Sequence, residues 1–175
     1  MALYTIGHST RTMEELIAAL QAHQIKTLVD IRAFPMSRRL PHFNRENLEK
    51  SFAPAGIRYV WMKELGGMRK KSLEDSPNVA LRNASFRNYA DYMLMPEFEH
   101  AMSQLVNLGE RSRTAYMCAE RVYFKCHRML VSDWLVAHGH EVLHIDDVKP
   151  PKPHKLMADA RLIDDKLIYR GDRLL

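Results

Sequence analysis

The chain has 175 residues, 46% of them hydrophobic and 27% charged, which is typical of one folded domain with its own core. No apolar run reaches the length of a membrane span and the N-terminus lacks the form of a signal peptide, so we expect a cytoplasmic protein without a membrane partner. The two cysteines are then expected to be thiols. A formal charge of +5 favours an anionic partner, either a small molecule or a nucleic acid.

Strands and helices alternate through the first half of the chain. A strand at Leu3–Ile6 ends at Gly7, and Thr12 with Glu15 forms a capping box that begins a helix over residues 13–23. The next elements are a strand at Leu28–Ile31, a proline-containing loop at Phe34–Phe43, a helix at about Arg45–Phe52 capped by Asn44, and a strand at Ile57–Trp61. Residues 62–84 are polar and aperiodic, a pattern typical of a functional lid or a disordered flap.

The second half repeats the alternation. The predicted elements are helices at Ser85–Met93 and Pro96–Gly109, a strand at Thr114–Met117, a helix from about Lys125 to Gly139, a strand at Val142–Ile145, a short helix at Lys155–Ala160 and a weak strand at Leu167–Tyr169. The helix that begins near Lys125 would carry Cys126, His127 and Arg128 in its first turn.

This order of elements predicts a single α/β domain over residues 1–175. Strands that alternate with helices favour a sheet of about five, mostly parallel strands with helices on both faces. The core is expected over about residues 2–148, with residues 149–175 as a C-terminal extension.

Polar and charged side chains follow the carboxyl ends of the predicted strands, whereas the opposite loops carry little that looks catalytic. In a parallel sheet these ends meet at one edge, where α/β proteins bind ligands. The candidate catalytic residues are Cys118, Glu120, His8 and His127. The candidate substrate- or anion-binding residues are Ser9, Asp30, Arg32, Gly66, Gly67, Arg69, Arg121 and Arg128.

Each candidate also has a structural interpretation. Cys118, beside Arg121 and a helix N-terminus, would be a nucleophile with a depressed pKa, or only a buried packing residue. Glu120 would serve as a general acid or base, or hold an arginine in an ion pair. Arg32 poses the same choice between ligand contact and an internal pair with Asp30.

The two cysteines do not predict a metal site or any other cofactor. Cys118 and Cys126 are separated by more residues than zinc-binding cysteines usually are, and adjacent Cys126 and His127 would point to different faces of a helix. A redox pair of Cys118 and Cys126 stays open if the intervening loop folds back.

The motifs together resemble a bacterial and archaeal family of unknown function, DUF 488. The matching segments are Gly7-His8-Ser9, Val29-Asp30-x-Arg32, Leu65-Gly66-Gly67-x-Arg69, Cys118-Ala119-Glu120 and Cys126-His127-Arg128. This resemblance implies a Rossmann-like α/β fold and supplies no established reaction.

Three functions are compatible with these residues. The first is an enzyme that acts on an anionic, nucleotide- or nucleic-acid-like substrate through Cys118, Glu120 and His8. The second is a non-catalytic nucleic-acid-binding module that stacks bases on Phe34, Phe43, Tyr59 or Trp61. The third is a thiol redox or sulfur-transfer protein. The sequence does not indicate an oligomeric state.

Overall fold

The computed structural model describes residues 1–171 and contains a six-stranded sheet covered by five helices. The elements are β1 (Ala2–Gly7), α1 (Met13–Ala22), β2 (Thr27–Asp30), α2 (Arg45–Phe52), β3 (Arg58–Trp61), α3 (Ala84–Tyr92), α4 (Pro96–Arg111), β4 (Thr114–Cys118), α5 (Arg128–Ala137), β5 (Glu141–His144), β6 (Lys152–Pro153), β7 (Ala160–Ile163) and β8 (Lys166–Tyr169). The predicted single α/β domain with a mostly parallel sheet is confirmed.

The strand order is β3-β2-β4-β1-β5-β6, and only β6 runs antiparallel. β4 lies in the middle, with Gly7 of β1 opposite Cys118 and Asp30 of β2 opposite Met117. Because the five parallel strands share a direction, their carboxyl ends meet at one edge.

Two apolar cores lie on the two faces of the sheet. Leu16 and Leu20 of α1 and Phe52 of α2 pack against one face. Phe98 of α4 and Leu130 of α5 pack against the other. Each such fully buried side chain contributes roughly 1.5–3 kcal/mol through loss of apolar surface from water.

Helix termini follow local rules at some places and tertiary contacts at others. The capping box is confirmed, because Thr12 Oγ1 accepts from Glu15 N and Glu15 Oε1 accepts from Thr12 N, each at 3.0 Å. Asn44 occupies the N-cap of α2, but its side chain accepts from Ser37 N at 2.6 Å and leaves the helix uncapped. α4 continues past Gly109, the predicted end, to Arg111.

Two predictions for the second half of the sequence are wrong. α5 begins at Arg128, since residues Tyr123–Lys125 form a separate 3₁₀ turn that brings Cys126 and His127 to the sheet edge. No helix forms over residues 155–160, where Asp133 of α5 accepts from Met157 N at 3.1 Å. A contact between distant residues therefore overrides the local pattern.

Residues 149–171, the described part of the predicted extension, belong to the same packed body as the rest. β6 adds the sixth strand to the sheet, and β7 and β8 form a hairpin whose Leu167 and Tyr169 are buried. Its two-residue turn places Asp164 and Asp165 at φ 49° and 64°, the left-handed geometry that suits the twist of a hairpin.

Candidate functional site

A cleft of about 540 Å³ lies at the carboxyl edge of the sheet. Its polar wall consists of Arg32, Glu120, Lys125, Cys126 and His127, and its apolar wall consists of Phe34, Met36, Met68, Phe86 and Tyr89. The cleft combines cationic, nucleophilic and aromatic groups, which suits an anionic ligand with a flat or apolar part.

The two thiols lie one behind the other at the base of this cleft. Cys126 lines the cleft, whereas Cys118, at the end of β4, is 2% exposed and lies behind it. Both are free, and each thiol shifts the pKa of the other. The Cys126 sulfur also lies 3.4 Å from Nδ1 of His127.

The surroundings move the pKa values of the two thiols in opposite directions. Burial alone would raise the pKa of Cys118, but the hydrogen bonds from Cys126 and Arg128 and the charge of Arg128 outweigh burial and lower it to about 7. The hydrogen bond to Cys118, together with burial, raises the pKa of Cys126. The first proton therefore leaves the two thiols near neutral pH, and the resulting negative charge belongs to the pair.

Arg128 supplies the charge that supports this thiolate. Its guanidinium is 1% exposed, and Nε donates to the Cys118 sulfur at 3.1 Å. Nη1 donates to Thr5 Oγ1 at 2.6 Å, and Nη2 donates to the carbonyl oxygens of Glu120 and Arg121 at 2.6 and 3.0 Å. Each nitrogen of the side chain thus has a partner within the protein.

His127 is held as a neutral imidazole. Its Nε2 donates to the carbonyl oxygen of Ile31 at 2.9 Å, so Nδ1 is an acceptor beside Cys126. Burial lowers the pKa of His127 to about 4. Gly67 permits this packing, because a Cβ atom there would lie 3.0 Å from Nδ1 of His127.

His8 supports Arg32 and does not line the cleft. Its Nδ1 donates to the carbonyl oxygen of Ser9 at 2.9 Å, and its Nε2 accepts from Arg32 Nη1 at 3.3 Å. Burial lowers the pKa of His8 to about 4. Both ring nitrogens are therefore engaged, which leaves no free nitrogen for proton transfer to a ligand in this arrangement.

Asp30 and Arg32 form a buried ion pair. Asp30 is 0% exposed, Arg32 Nη2 lies 2.6 Å from its Oδ2, and Tyr59 donates its hydroxyl to the same oxygen at 2.5 Å. Arg32 Nη2 also donates to the carbonyl oxygen of Phe43 at 2.8 Å. The pair fixes the guanidinium that lines the cleft.

Other candidates take positions around the cleft. Glu120 lines it and accepts from Val122 N at 3.4 Å. Gly66 packs behind it, where a Cβ atom would lie 2.7 Å from Ala33 Cα. Ser9 N donates to the carbonyl oxygen of Ala119 at 2.9 Å, which ties the β1 and β4 loops together.

Three of the four predicted anion-binding arginines do not line the cleft, and one of them, Arg128, lies behind it at the thiol pair. Arg69 stacks on Tyr92, 3.6 Å from the ring centre, and donates to the Glu64 carbonyl oxygen at 2.9 Å. It lines a neighbouring depression of about 700 Å³ that shares Gly67 with the cleft. Arg121 is paired with Asp146 at 2.8 and 3.1 Å and lines a second cleft of about 500 Å³, on the other side of the loop after β4.

The catalytic and anion-binding residues predicted from the sequence did not include Cys126, Lys125, Phe86 or Tyr89, and Phe34 was predicted only as a base-stacking residue. Cys126 adjoins His127 in a quoted motif, and that adjacency was the available signal. The predicted helical geometry directed the two side chains to different faces, but the 3₁₀ turn brings them together. Among residues 1–171, no group of three or more histidine, cysteine, aspartate or glutamate side chains could hold a metal.

No helix in residues 1–171 has the length and apolar character required to cross a membrane. Among curated proteins and solved structures, no significant match to the chain was found. A family model described as "Domain of unknown function DUF488" matches residues 12–135. That match covers most of the chain, including β2, β3, β4 and both cysteines. The chain therefore belongs to the DUF488 family.

Proposed function

We propose that this protein is an enzyme that acts on an anionic substrate, with Cys126 as the attacking thiol and Cys118 as its partner. The observation that carries the proposal is a pair of free thiols at the base of a cleft, with the guanidinium of Arg128 held 3.1 Å from the Cys118 sulfur. A thiolate is the nucleophilic form of cysteine, and a neighbouring guanidinium stabilises it near neutral pH. The two unpaired thiols suit the reducing cytoplasm.

The two sulfurs would divide the work. Cys118 is out of reach behind Cys126, and it holds the proton that the pair keeps while the negative charge is on the Cys126 sulfur. The Cys126 sulfur then forms a bond to an electrophilic carbon of the substrate, and the bond to the leaving group breaks with its electron pair. Glu120 supplies the proton that the leaving group takes. Water then attacks the same carbon, its proton passes to Glu120, and the Cys126 sulfur leaves as the thiolate.

Cations around Cys126 indicate the substrate class. Arg32 and Lys125 line the same cleft as Cys126. A fixed guanidinium and a mobile ammonium at one site favour a carboxylate or phosphate. Phe34 and Phe86 on the opposite wall offer flat surfaces for an apolar or aromatic part of the same molecule. A nucleotide-like compound has both features.

Alkylation tests this proposal without a known substrate. Iodoacetamide is neutral and iodoacetate is anionic, so the ratio of their rate constants reports an anion site beside the reactive sulfur. We expect labelling of Cys126 to rise with pH through about 7, below the ordinary thiol value of about 8.5. Lys125→Ala should lower the rate constant for iodoacetate about threefold to fivefold, because one exposed charge contact is worth about 1 kcal/mol. The rate constant for iodoacetamide should not change.

The matched control is Lys149→Ala, an exposed lysine in the second cleft. It should leave both rate constants unchanged. Cys126→Ser should abolish fast labelling, and Cys118→Ser should return Cys126 to an ordinary thiol profile. Wild-type thiols that react only above the ordinary thiol pKa would refute the proposal.

A nucleic-acid-binding module is the second candidate function. It is supported by Phe34 and Met36, which are 73% and 77% exposed, next to exposed Arg38 and Arg39. Phe43 is fully buried and the polar atoms of Tyr59 and Trp61 are bonded internally, so stacking would rest on Phe34. This function predicts binding to single-stranded DNA or RNA that falls steeply with salt and is lost in Phe34→Ala.

A thiol redox protein is the third candidate, since both thiols are free and each shifts the pKa of the other. A small disulfide as oxidant would take two electrons from the pair and leave a Cys118–Cys126 bond and two reduced thiols. Mass spectrometry after such treatment distinguishes this function, because the enzymatic proposal expects no lasting internal disulfide in the turnover cycle.

A further inference from the structure

A buried chain of hydrogen bonds runs from the far side of α5 to the thiol pair. Asp133 Oδ1 lies 2.7 Å from His154 Nε2, and His154 Nδ1 lies 2.9 Å from His144 Nε2. His144 Nδ1 lies 3.2 Å from Thr5 Oγ1, which accepts from Arg128 Nη1 at 2.6 Å. The chain joins β1, α5, β5 and the segment after β6.

The Asp133 carboxylate gives this chain one direction. A carboxylate only accepts, so His154 donates through Nε2 and its Nδ1 accepts from His144. His144 Nδ1 is then the acceptor for the Thr5 hydroxyl hydrogen. The Thr5 oxygen is left with its lone pairs for Arg128, and every proton of the chain has a partner. Burial is the largest cause that lowers the pKa of His144 to about 3, which keeps it neutral.

The residues of this hydrogen-bond chain are buried as deeply as an apolar core, although all of them are polar. Asp133 and Thr5 are fully buried, and His154 and His144 are 8% and 9% exposed. Tyr123 stacks on His144 with ring centres 3.7 Å apart. None of the chain's members lines the cleft of Cys126, so none of them can act by touching a ligand there.

The rigid side chain of Arg128 connects this chain of hydrogen bonds to the Cys118 sulfur. A guanidinium is planar and rigid, so holding Nη1 and Nη2 sets the direction of Nε. Nη1 is held by Thr5 and Nη2 by two carbonyl oxygens, which leaves Nε aimed at Cys118 at 3.1 Å. The titratable or charged groups that act on the two sulfurs are Arg128 from α5, His127 from the turn before it, Tyr89 from α3 and Tyr116 from β4.

We propose that Thr5, His144, His154 and Asp133 are positioning residues, which hold the Arg128 guanidinium against the Cys118 sulfur and thereby keep the thiol pair ready to react. The inference rests on the thiol-dependent function proposed above. It assigns a role to His144 and His154, which lie outside the matched family region of residues 12–135. Residues after position 135 would thus set the reactivity of the two thiols inside the matched region.

The test compares Thr5→Val with Thr5→Ser by iodoacetamide alkylation between about pH 5.5 and 9. Valine has the shape of threonine without the hydroxyl, so Nη1 loses its acceptor and His144 loses its donor. We expect the alkylation profile to move to higher pH, with a rate constant at pH 6.5 about threefold to tenfold lower. Thr5→Ser restores the hydroxyl and should restore the profile.

Ser132→Ala is the matched control, because it removes another fully buried hydroxyl that bonds the Arg128 backbone oxygen and not its guanidinium. Its profile should equal that of the wild type. If Thr5→Val does not fold, His144→Phe keeps a flat ring against Tyr123 and removes both nitrogens. If the wild type is alkylated below the ordinary thiol pKa and neither variant shifts that pH dependence, this inference alone is overturned. If the wild type itself shows the pH dependence of an ordinary thiol, the proposed function is refuted.

Discussion

At the scale of single residues, the polar groups around the site are occupied by contacts within the protein. Arg128 donates to Cys118, Thr5 and two carbonyl oxygens, and Asp30 accepts from Arg32 and Tyr59. Such buried charges cost desolvation energy, which only close partners offset. Pairing therefore holds the site in shape, and it also fixes Arg32 and His127, which line the cleft.

Tyr59→Phe tests the buried carboxylate at this scale. The hydroxyl donates to Asp30 Oδ2 at 2.5 Å, and Asp30 is fully buried. We expect the free energy of unfolding to fall by about 1–3 kcal/mol in denaturant titrations, because a buried acceptor loses a charge-assisted bond. Tyr92→Phe, which loses a bond to an exposed carbonyl oxygen, is the control and should cost less. Equal losses would contradict the assignment.

At the scale of elements, the close approach of the β1 and β4 loops places the site. Ser9 N donates to the Ala119 carbonyl oxygen at 2.9 Å, and His8 N donates to that of Cys118 at 3.0 Å. Gly7 makes this approach possible, because a Cβ atom there would lie 1.9 Å from the Glu120 carbonyl oxygen. That oxygen is also one of the two that hold Arg128 Nη2.

Gly7→Ala should therefore disturb both stability and thiol chemistry. We expect a loss of about 1–3 kcal/mol or more from overpacking, together with an alkylation profile displaced to higher pH. Gly56→Ala provides the comparison, since that glycine has φ +74° and no neighbour within 4 Å of an added Cβ. It should lose stability through backbone strain without a change in the profile. Unaltered thiol chemistry in Gly7→Ala would show that the turn does not govern Arg128.

At the scale of the whole molecule, the last part of the chain completes the domain. β6 extends the sheet, and Tyr169 of β8 donates its hydroxyl to Asp133 of α5 at 2.9 Å. The same hairpin anchors the long loop before α3, because Ala80 N donates to the Tyr169 carbonyl oxygen at 2.9 Å. The segment predicted as an extension thus supports both the sheet and that loop.

Acid should destabilise the molecule as a whole through its buried imidazoles. Burial lowers the pKa of His8 and His127 to about 4 and that of His144 to about 3, from 6.5 in the unfolded chain. The unfolded state then binds more protons between pH 6.5 and 4, so stability is full above that range and is lost as pH falls through it. Each imidazole contributes up to about 1.4 kcal/mol for each pH unit.

Denaturant titrations over this pH range measure the effect. A free energy of unfolding that stays constant from about pH 6.5 to 4.5 would contradict buried neutral imidazoles. His100→Gln, at an exposed position on α4, should leave the slope unchanged.

The sequence by itself determined the alternation of elements and the edge at which the site lies. Hydrophobic periodicity, capping residues and prolines act within a few residues, so they predicted α1, α2, β1 to β5 and β8 closely, whereas β6 and β7 were not predicted. Tertiary structure alone decided which groups face the cleft. Cys126 lies in front of Cys118 because a 3₁₀ turn, not a helix, precedes α5. His144 contacts Thr5, which is 139 positions away in the sequence, and His154, which is 10 positions away. No local pattern predicts such contacts, because the free energy that forms them comes from burying groups of distant segments together.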